Sequence, residues 1–298
     1  MGYADMTQTR ISLSEPIPVP QDSAFLRFLY HTPIGRALLR LLRAPWLSRL
    51  IGAYMDSRLS RVWIRPFVRK NGIDLSQYEP QSYCSFNDFF TRQIRAENRP
   101  IDRSPDHLIA PCDGLLSAYP ITEGRVFPIK QSEYTVSDLL GDDPIASRYI
   151  GGTCLVFRLC VNHYHRYCYP DDAQKGENHF LSGTLHTVRP VALRACPVFC
   201  RNAREYTVME TAHFGKVTQI EVGAMLVGKI KNDHGACRVT RGTQKGIFLY
   251  GGSTVVLLLE KDAACVPEAL FRATQESCEV PVRMGEPIAL RPAAVMQD

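Results

Sequence analysis

The pattern of apolar and polar positions divides the chain into a helical first part and a strand-rich remainder. Between residues 24 and 70, apolar side chains alternate with arginines at three- and four-residue steps, the spacing of amphipathic helices. Pro33, Pro45 and Pro66 should divide this stretch into short helices, because proline interrupts a helix interior. A further helical piece is predicted near residues 86–94.

From about Leu108 onward, short apolar runs bounded by turn residues predict β-strands, for example at residues 154–159, 217–230 and 255–259. We therefore predict an α+β fold, in which a β-rich catalytic core of short strands is preceded by amphipathic N-terminal helices. The predicted divisions are a flexible N-terminus at 1–23, the helices at 24–75 and the β-rich domain at 76–298.

The distribution of charge says more than its sum. The whole chain has a formal net charge of +5, too small to indicate nucleic acid. Between Ala24 and Lys70, however, there are ten Lys or Arg residues and one acid, Asp56. Basic amphipathic helices of this kind are typical of an anionic membrane interface. The alternative is a helical subdomain that packs on the core and keeps its arginines in water.

Targeting and cysteine usage add two expectations. No secretory signal is apparent in residues 1–23, and no window of about 18 apolar residues predicts a membrane-spanning helix. The ten cysteines are scattered without CxxC spacing, which favours free, mostly buried thiols in a reducing compartment and gives no indication of a metal site.

The candidate nucleophile is Ser253, which follows Gly251 and Gly252 and directly precedes the apolar run at 255–259. A Gly-Gly pair lets the backbone bend sharply and is usually only a turn. A serine on such a turn can also attack the carbonyl of Gly252, convert the amide to an ester and, by elimination, leave an N-terminal pyruvoyl group. The sequence therefore marks Gly252 and Ser253 as a candidate self-cleavage site.

Such a serine needs a base, and the base needs an orienting group. His163 and His165 follow the strand predicted at 154–159 and would share one face if that strand continued. A His-x-His pair also suits a metal, but no third ligand has the usual spacing. Asp113 lies between apolar flanks before Gly114, so it is either a turn former or a partly buried carboxylate.

Five segments in this order resemble the phosphatidylserine decarboxylase family over roughly residues 80–260. They are residues 86–92 with 99–101, residues 110–114, residues 164–166 with Pro170, residues 222–224 with 227–228, and Gly246 followed by 251–254. The family is pyruvoyl-dependent, so the resemblance implies decarboxylation of phosphatidylserine to phosphatidylethanolamine in phospholipid biosynthesis; the ligand spacing described above predicts no metal.

The resemblance also implies roles for individual residues. Cleavage between Gly252 and Ser253 would give a β chain of residues 1–252 and an α chain of residues 253–298, and Ser253 would become the pyruvoyl group. Asp113 and His165 match the acid and the first histidine of the family's motifs. A homodimer bound peripherally to the cytoplasmic side of the cell membrane, where phosphatidylserine lies, is implied as well.

One position departs from the family pattern. The family's second motif histidine, its maturation base, is Cys168 here. Three residues are therefore candidates for the base: His165 first, then His186, with Cys168 either acting as a thiol base or only filling space. His165 is also the candidate for returning a proton to the substrate carbon after decarboxylation.

Two other functional classes remain open from the sequence. The first is a serine hydrolase that uses Ser253, His165 and Asp113 as an ordinary triad, although the Gly-x-Ser-x-Gly elbow is missing. The second is a catalytically inactive β-rich lipid-binding protein. An intact chain would favour either of them over self-cleavage.

Overall fold

Apart from one two-residue strand, helices come first in the chain and antiparallel strands dominate the remainder, which confirms the predicted α+β class. The computed structural model describes residues 11–19, 24–42, 45–122, 127–129, 132–183, 198–223, 229–249 and 253–292. The α-helices are α1 (Ala24–His31), α2 (Pro33–Leu42), α3 (Pro45–Asp56), α4 (Ile64–Asn71), α5 (Phe86–Phe90), α6 (Val136–Leu140), α7 (Val198–Arg201) and α8 (Glu268–Gln275). Short 3-10 helices lie at Arg58–Trp63, Leu75–Gln77, Ala96–Asn98 and Pro144–Tyr149.

Prolines divide the N-terminal region as predicted. Pro33 and Pro45 are the first residues of α2 and α3, and Pro66 lies in the first turn of α4, where a missing N–H costs no hydrogen bond. The predicted helix at 86–94 is shorter than expected, because α5 ends at Phe90 and Thr91 caps it.

The N-terminal helices have both buried and exposed apolar side chains. Leu29, Tyr30 and Leu39 of α1 and α2 join the core of the β domain. In the described residues, eight of the twelve exposed large hydrophobic side chains lie between Phe28 and Trp63. Packing against the core therefore accounts for only part of this apolar surface.

A nine-stranded antiparallel sheet forms the centre of the molecule, in the order β1-β15-β3-β6-β14-β10-β9-β8-β12. The fifth of these strands, β14, is the apolar run predicted from the sequence, and each of its residues is buried. The strands are β1 (Ile17–Pro18), β3 (Gly114–Pro120), β6 (Thr153–Leu159), β8 (Ala173–Leu181), β9 (Arg204–Thr211), β10 (Lys216–Gly223), β12 (Cys237–Val239), β14 (Ser253–Leu259) and β15 (Cys278–Val282).

Three smaller sheets complete the β domain. They are β11-β13-β7, β16-β2 and β4-β5, made of β2 (His107–Ile109), β4 (Phe127–Ile129), β5 (Ser132–Tyr134), β7 (Arg166–Cys168), β11 (Ile230–Asn232), β13 (Gln244–Phe248) and β16 (Pro287–Leu290).

Each face of the large sheet packs on its own hydrophobic cluster, because side chains alternate along the strands. Val256 and Leu258 of β14 face a cluster that includes Leu29 and Leu39 of the N-terminal helices. Val255 and Leu257 face a second cluster that includes residues of the β11-β13-β7 sheet. The start of β14 therefore lies between two sheets, which is where Ser253 is found.

One described part of the segment predicted to be flexible is tied to the core. Ile17 and Pro18 form β1, which pairs with Glu279 and Cys278 of β15 at the edge of the large sheet. The N–H of Val19 also donates to the carbonyl oxygen of Ser277. The chain is thus anchored at β1 before α1 begins.

Candidate active site

Ser253 is the first residue of β14, and its hydroxyl group is buried. Its backbone lies in register with Gly223 of β10 on one side and Leu159 of β6 on the other. Among the described residues the Oγ atom has no hydrogen-bond partner. A buried hydroxyl without a partner costs free energy, so such an atom is often kept for chemistry.

The side chain of Ser253 points toward the β11-β13-β7 sheet. Alternation along β14 places it on the same face as Val255, whose cluster includes Tyr167 and Phe248 of that sheet. Gly223, directly opposite, has no side chain, which leaves space beside the hydroxyl on this face.

His165 comes immediately before β7 and is almost completely buried, with 1 % of its surface exposed. Its Nδ1 lies 2.9 Å from the carbonyl oxygen of His163. Because a carbonyl oxygen only accepts, Nδ1 carries the proton and Nε2 is the free acceptor. Nε2 has no partner among the described residues. The backbone itself thus sets the tautomer that a general base requires.

Phe90 of α5 holds one side of the imidazole. The centroids of the two rings are 4.1 Å apart. Phe86, Phe89 and Phe90 are all buried, and Ser85 caps the helix by accepting from the N–H of Asp88. The motif at residues 86–92 is therefore the apolar support of His165.

Burial keeps His165 neutral. It lowers the pKa of the imidazole to about 3, since the charged form loses its hydration, and the charge of Arg92 acts in the same direction. The bond to the His163 carbonyl opposes this shift only in part. At neutral pH the ring of the uncleaved chain is therefore unprotonated at Nε2, so that atom has a free lone pair and no proton to donate.

Asp113 is bound to Arg99. The Nε and Nη2 atoms of Arg99 donate to the two carboxylate oxygens at 2.7 and 2.5 Å, and the N–H of Met284 donates to Oδ1 at 3.0 Å. Both side chains are buried, as the sequence allowed for the acid. The group that orients His165 is the backbone carbonyl of His163, whereas the described partners of Asp113 are Arg99 and the N–H of Met284.

The charge of Asp113 acts on His163. Burial lowers the pKa of His163, and the charge of Asp113 partly offsets that shift. Its Nδ1 accepts from the N–H of Cys160, which closes the turn between β6 and β7. Sequence reasoning assigned roles to neither His163 nor Arg99, although Arg99 lies in a motif segment.

Of the alternative bases, Cys168 lies in β7 and is fully buried. Burial raises the pKa of its thiol to about 12, so the thiol stays protonated at neutral pH. Its Sγ lies 4.0 Å from the carbonyl oxygen of Ala110. This environment favours the space-filling interpretation. His186 and Gly252 lie outside the described residues.

The register of the large sheet brings these positions to one end. Ser253 pairs with Leu159, the last residue of β6. Asp113 directly precedes β3, whose Leu115 pairs with Arg158 of β6. The turn after Leu159 leads to His165. Three residues far apart in the chain therefore converge at the ends of β3, β6 and β14.

Two features are absent from the described part of the chain. Its residues contain no group of three or more His, Cys, Asp or Glu side chains that could hold a metal ion. In the same part of the chain, no helix combines the length and the apolar character needed to cross a bilayer.

Comparisons with known proteins agree on one family. The model of the phosphatidylserine decarboxylase family matches residues 86–290. The phosphatidylserine decarboxylase proenzyme 2 of Clostridium acetobutylicum is 42% identical over 264 residues, which is 88% of this chain and 90% of that protein. The proenzymes of Ruminiclostridium cellulolyticum and Clostridium perfringens are 38% and 37% identical, over 88% and 89% of this chain and 90% and 92% of theirs. The chain belongs to the phosphatidylserine decarboxylase family.

Proposed function

We propose that this protein decarboxylates phosphatidylserine to phosphatidylethanolamine, after cutting itself between Gly252 and Ser253. The observation that carries the proposal is the pair of buried, unpartnered atoms, Ser253 Oγ and His165 Nε2, whose residues converge at one end of the sheet. Ser253 Oγ is a hydroxyl whose proton has no acceptor, and His165 Nε2 is a proton acceptor that has no donor. An activated serine requires such a hydroxyl and such a base.

Self-cleavage begins at Ser253. His165 Nε2 takes the hydroxyl proton while Oγ attacks the Gly252 carbonyl carbon, and the amide becomes an ester. Loss of the Ser253 Cα proton then expels the Gly252 carboxylate and leaves a dehydroalanine. The dehydroalanine rearranges to an imine, and water hydrolyses the imine and releases the nitrogen as ammonia. Residue 253 thus becomes a pyruvoyl group, and residues 1–252 end in a carboxylate.

The surroundings of Ser253 fit that group. Gly223, opposite residue 253 on one side, has no side chain, and residue 253 is itself buried. A pyruvoyl group at residue 253 would supply an electron sink for the electrons that remain when carbon dioxide leaves the substrate. The substrate carbon then needs a proton, and His165, beside the apolar ring of Phe90, would pass it one taken up from water at Nε2; burial, which disfavours the charged ring, would favour its release.

The decisive measurement is intact mass under denaturing conditions. The wild-type protein should give two chains split before Ser253, the smaller with a carbonyl that borohydride traps in the presence of an amine. Ser253→Ala should remain a single chain of 33.6 kDa. Ser117→Ala is the matched control, because Ser117 is another buried serine of the same sheet, and it should be cleaved like the wild type.

The same experiment separates the rival functions. An intact wild-type chain with a serine reactive toward a fluorophosphonate would overturn the proposal in favour of a hydrolase. An intact, unreactive chain that binds liposomes would favour an inactive lipid-binding protein. His165→Ala and His186→Ala, tested in parallel, identify the base by which of them remains uncleaved.

The membrane contact belongs to the same proposal. Leu59, Val62 and Trp63 are exposed by 73, 69 and 53% on the helical region. Five exposed cations surround them without an acid between residues 57 and 73: Arg58, Arg61, Arg65, Arg69 and Lys70. Apolar side chains interleaved with cations suit an anionic lipid surface, and each cation near the surface contributes roughly 1 kcal/mol.

Co-sedimentation with vesicles tests this contact. The triple variant of Leu59, Val62 and Trp63 to Ser should lose binding to phosphatidylserine vesicles, whereas Phe180→Ser should keep it. Phe180 is equally exposed but lies on β8. Equal binding by both variants would overturn the assignment. The proposed location is peripheral, on the cytoplasmic side of the cell membrane, and light scattering of the cleaved protein tests the homodimer.

A further inference from the structure

A buried ion pair joins the two sheets next to the candidate active site. Lys245 of β13 donates from Nζ to Oε2 of Glu221 of β10 at 2.7 Å, and both side chains are fully buried. Removing two charges from water is costly, and a buried pair is often no more stabilising than apolar residues of the same volume. Its presence here needs a reason other than stability.

The pair is part of a larger polar network. Oδ1 of Asn232 accepts from Lys245 Nζ and from the Tyr167 hydroxyl, both at 3.1 Å. Nδ2 of Asn232 donates to Glu205 at 2.8 Å and to Glu221 at 3.3 Å. The amide of Asn232 thus uses both of its ends, and the network links β9 and β10 of the large sheet to β7, β11 and β13 of the small one.

The backbone is shaped to admit this network. The pairing of β13 with β7 shifts between Gln244 and Gly246, so Lys245 is the extra residue of a β-bulge. Bulges redirect a side chain, and they are frequent beside active sites. At Gly246 a Cβ atom would lie 2.6 Å from the Tyr167 hydroxyl and 2.9 Å from Asn232 Oδ1. Only glycine therefore lets the strand approach the network this closely.

Each end of the ion pair is next to one half of the site. On the large sheet, Gly223 of β10 lies opposite Ser253 and has no side chain. The nearest side chain of β10 on that face is therefore Glu221, two residues before Gly223. On the small sheet, the N–H of Phe248 in β13 donates to the carbonyl oxygen of His165 at 2.9 Å. The pair thus connects the strand beside Ser253 to the strand that holds His165.

We propose that Glu221 and Lys245 are positioning residues, which fix the small sheet against the large one so that His165 is aligned with residue 253. Oε1 of Glu221 has no partner among the described residues, so the carboxylate is held by Lys245 and Asn232 on one oxygen only. Burial raises the pKa of Glu221, and Lys245 opposes that shift. Without Lys245 the carboxylate loses the partner that keeps it charged and fixed in place.

The test follows cleavage of freshly translated precursor over time and rests on the proposed self-cleavage. The double variant Glu221→Gln with Lys245→Met removes both charges at nearly constant volume and should fold with an unfolding midpoint close to that of the wild type. Its cleavage rate constant should fall about 10- to 100-fold, since small misplacements of reacting groups have effects of that size. The fraction finally cleaved should stay complete.

The cleavage rate constant and the fraction of chains cleaved distinguish a positioning role from a purely structural one. A purely structural role would lower the fraction of chains that can be cleaved and leave the rate constant of the remainder unchanged, and that outcome would overturn the proposal. So would a wild-type rate at full amplitude. Tyr167→Phe, which removes a single hydroxyl from the network, covers the case of a misfolded double variant; it should slow cleavage by a smaller factor, and an unchanged rate would count against the proposal.

A control removes a more exposed ion pair at the end of β14 that is distant from Ser253. Glu260 directly follows β14 and pairs with Arg148 at 2.7 Å. The variant Arg148→Met with Glu260→Gln should cleave at the wild-type rate. A wild-type precursor that never cleaves would count against the proposed function, whereas equal rates in the wild type and the Glu221/Lys245 variant would refute only the positioning role.

Discussion

The buried imidazole of His165 should make the stability of the precursor depend on pH in a way that one substitution removes. The pKa of His165 falls from 6.5 to about 3 in the folded chain. Below pH 6.5 the unfolded chain therefore binds a proton that the folded chain refuses, and stability falls as the pH falls. Each unit of pKa difference corresponds to about 1.36 kcal/mol, so the loss is about 2 kcal/mol at pH 5 and approaches about 5 kcal/mol below pH 3.

The assay compares His165→Phe with its parent by urea unfolding at about pH 7.5 and about pH 5. Both proteins carry Ser253→Ala, so that neither is cleaved and only the imidazole differs. A phenyl ring can keep the packing on Phe90 but has no proton to bind. The stability of the variant relative to its parent should rise by about 2 kcal/mol between the two pH values.

A control and a contrary outcome complete this test. His179→Gln removes an exposed imidazole from β8 and shows what the loss of a surface histidine does under the same conditions. If the difference between His165→Phe and its parent stays the same at both pH values, the imidazole titrates alike in the folded and unfolded chains. The reasoning from burial would then be refuted.

Three further substitutions test single contacts. Arg99→Met leaves the buried carboxylate of Asp113 without its cation, and urea unfolding should show a loss of about 3–5 kcal/mol; a smaller loss when Asp113→Leu is added would confirm the cause. Gly246→Ala places a Cβ 2.4 Å from the Lys231 carbonyl oxygen. The unfolding free energy should fall by about 1–3 kcal/mol, and an unchanged midpoint would contradict the close approach. Cys168→Ala should be cleaved within about twofold of the wild-type rate, because a thiol with a pKa of about 12 is not a base at neutral pH; an uncleaved variant would restore it as a candidate.

Helix starts and buried strands could be predicted from the sequence, because they depend on residues close together in the chain. Proline positions gave the starts of α2 and α3, because the effect of proline on a helix is confined to its own turn. The mainly apolar runs at 154–159 and 255–259 gave β6 and β14, since strands buried on both faces have few polar positions. The shortness of α5 was missed, because the Thr91 carbonyl oxygen at its end accepts from Arg166, a residue distant in the sequence.

The partners within the site could not be read in this way. Asp113 was a candidate, but its pairing with Arg99 depends on how the segment before β2 folds back on the sheet. Glu221 and Lys245 lie on strands of different sheets, and a bulge has no dependable signature in a single sequence. His165 is oriented by a backbone carbonyl, which every residue possesses and which no motif reveals.

The central place of β14 has a consequence for the cut chain. Ser253–Leu259 pairs over seven positions with β10 and over seven with β6, and both neighbours belong to residues 1–252. Downstream, β15 pairs with β3 and β16 with β2. Cleavage before Ser253 would thus yield two fragments that stay associated without a covalent link. The new chain end would be paired with a strand of the other fragment on each side. Separating them requires unfolding the sheet, so the cut product should survive dilution and gel filtration as one particle.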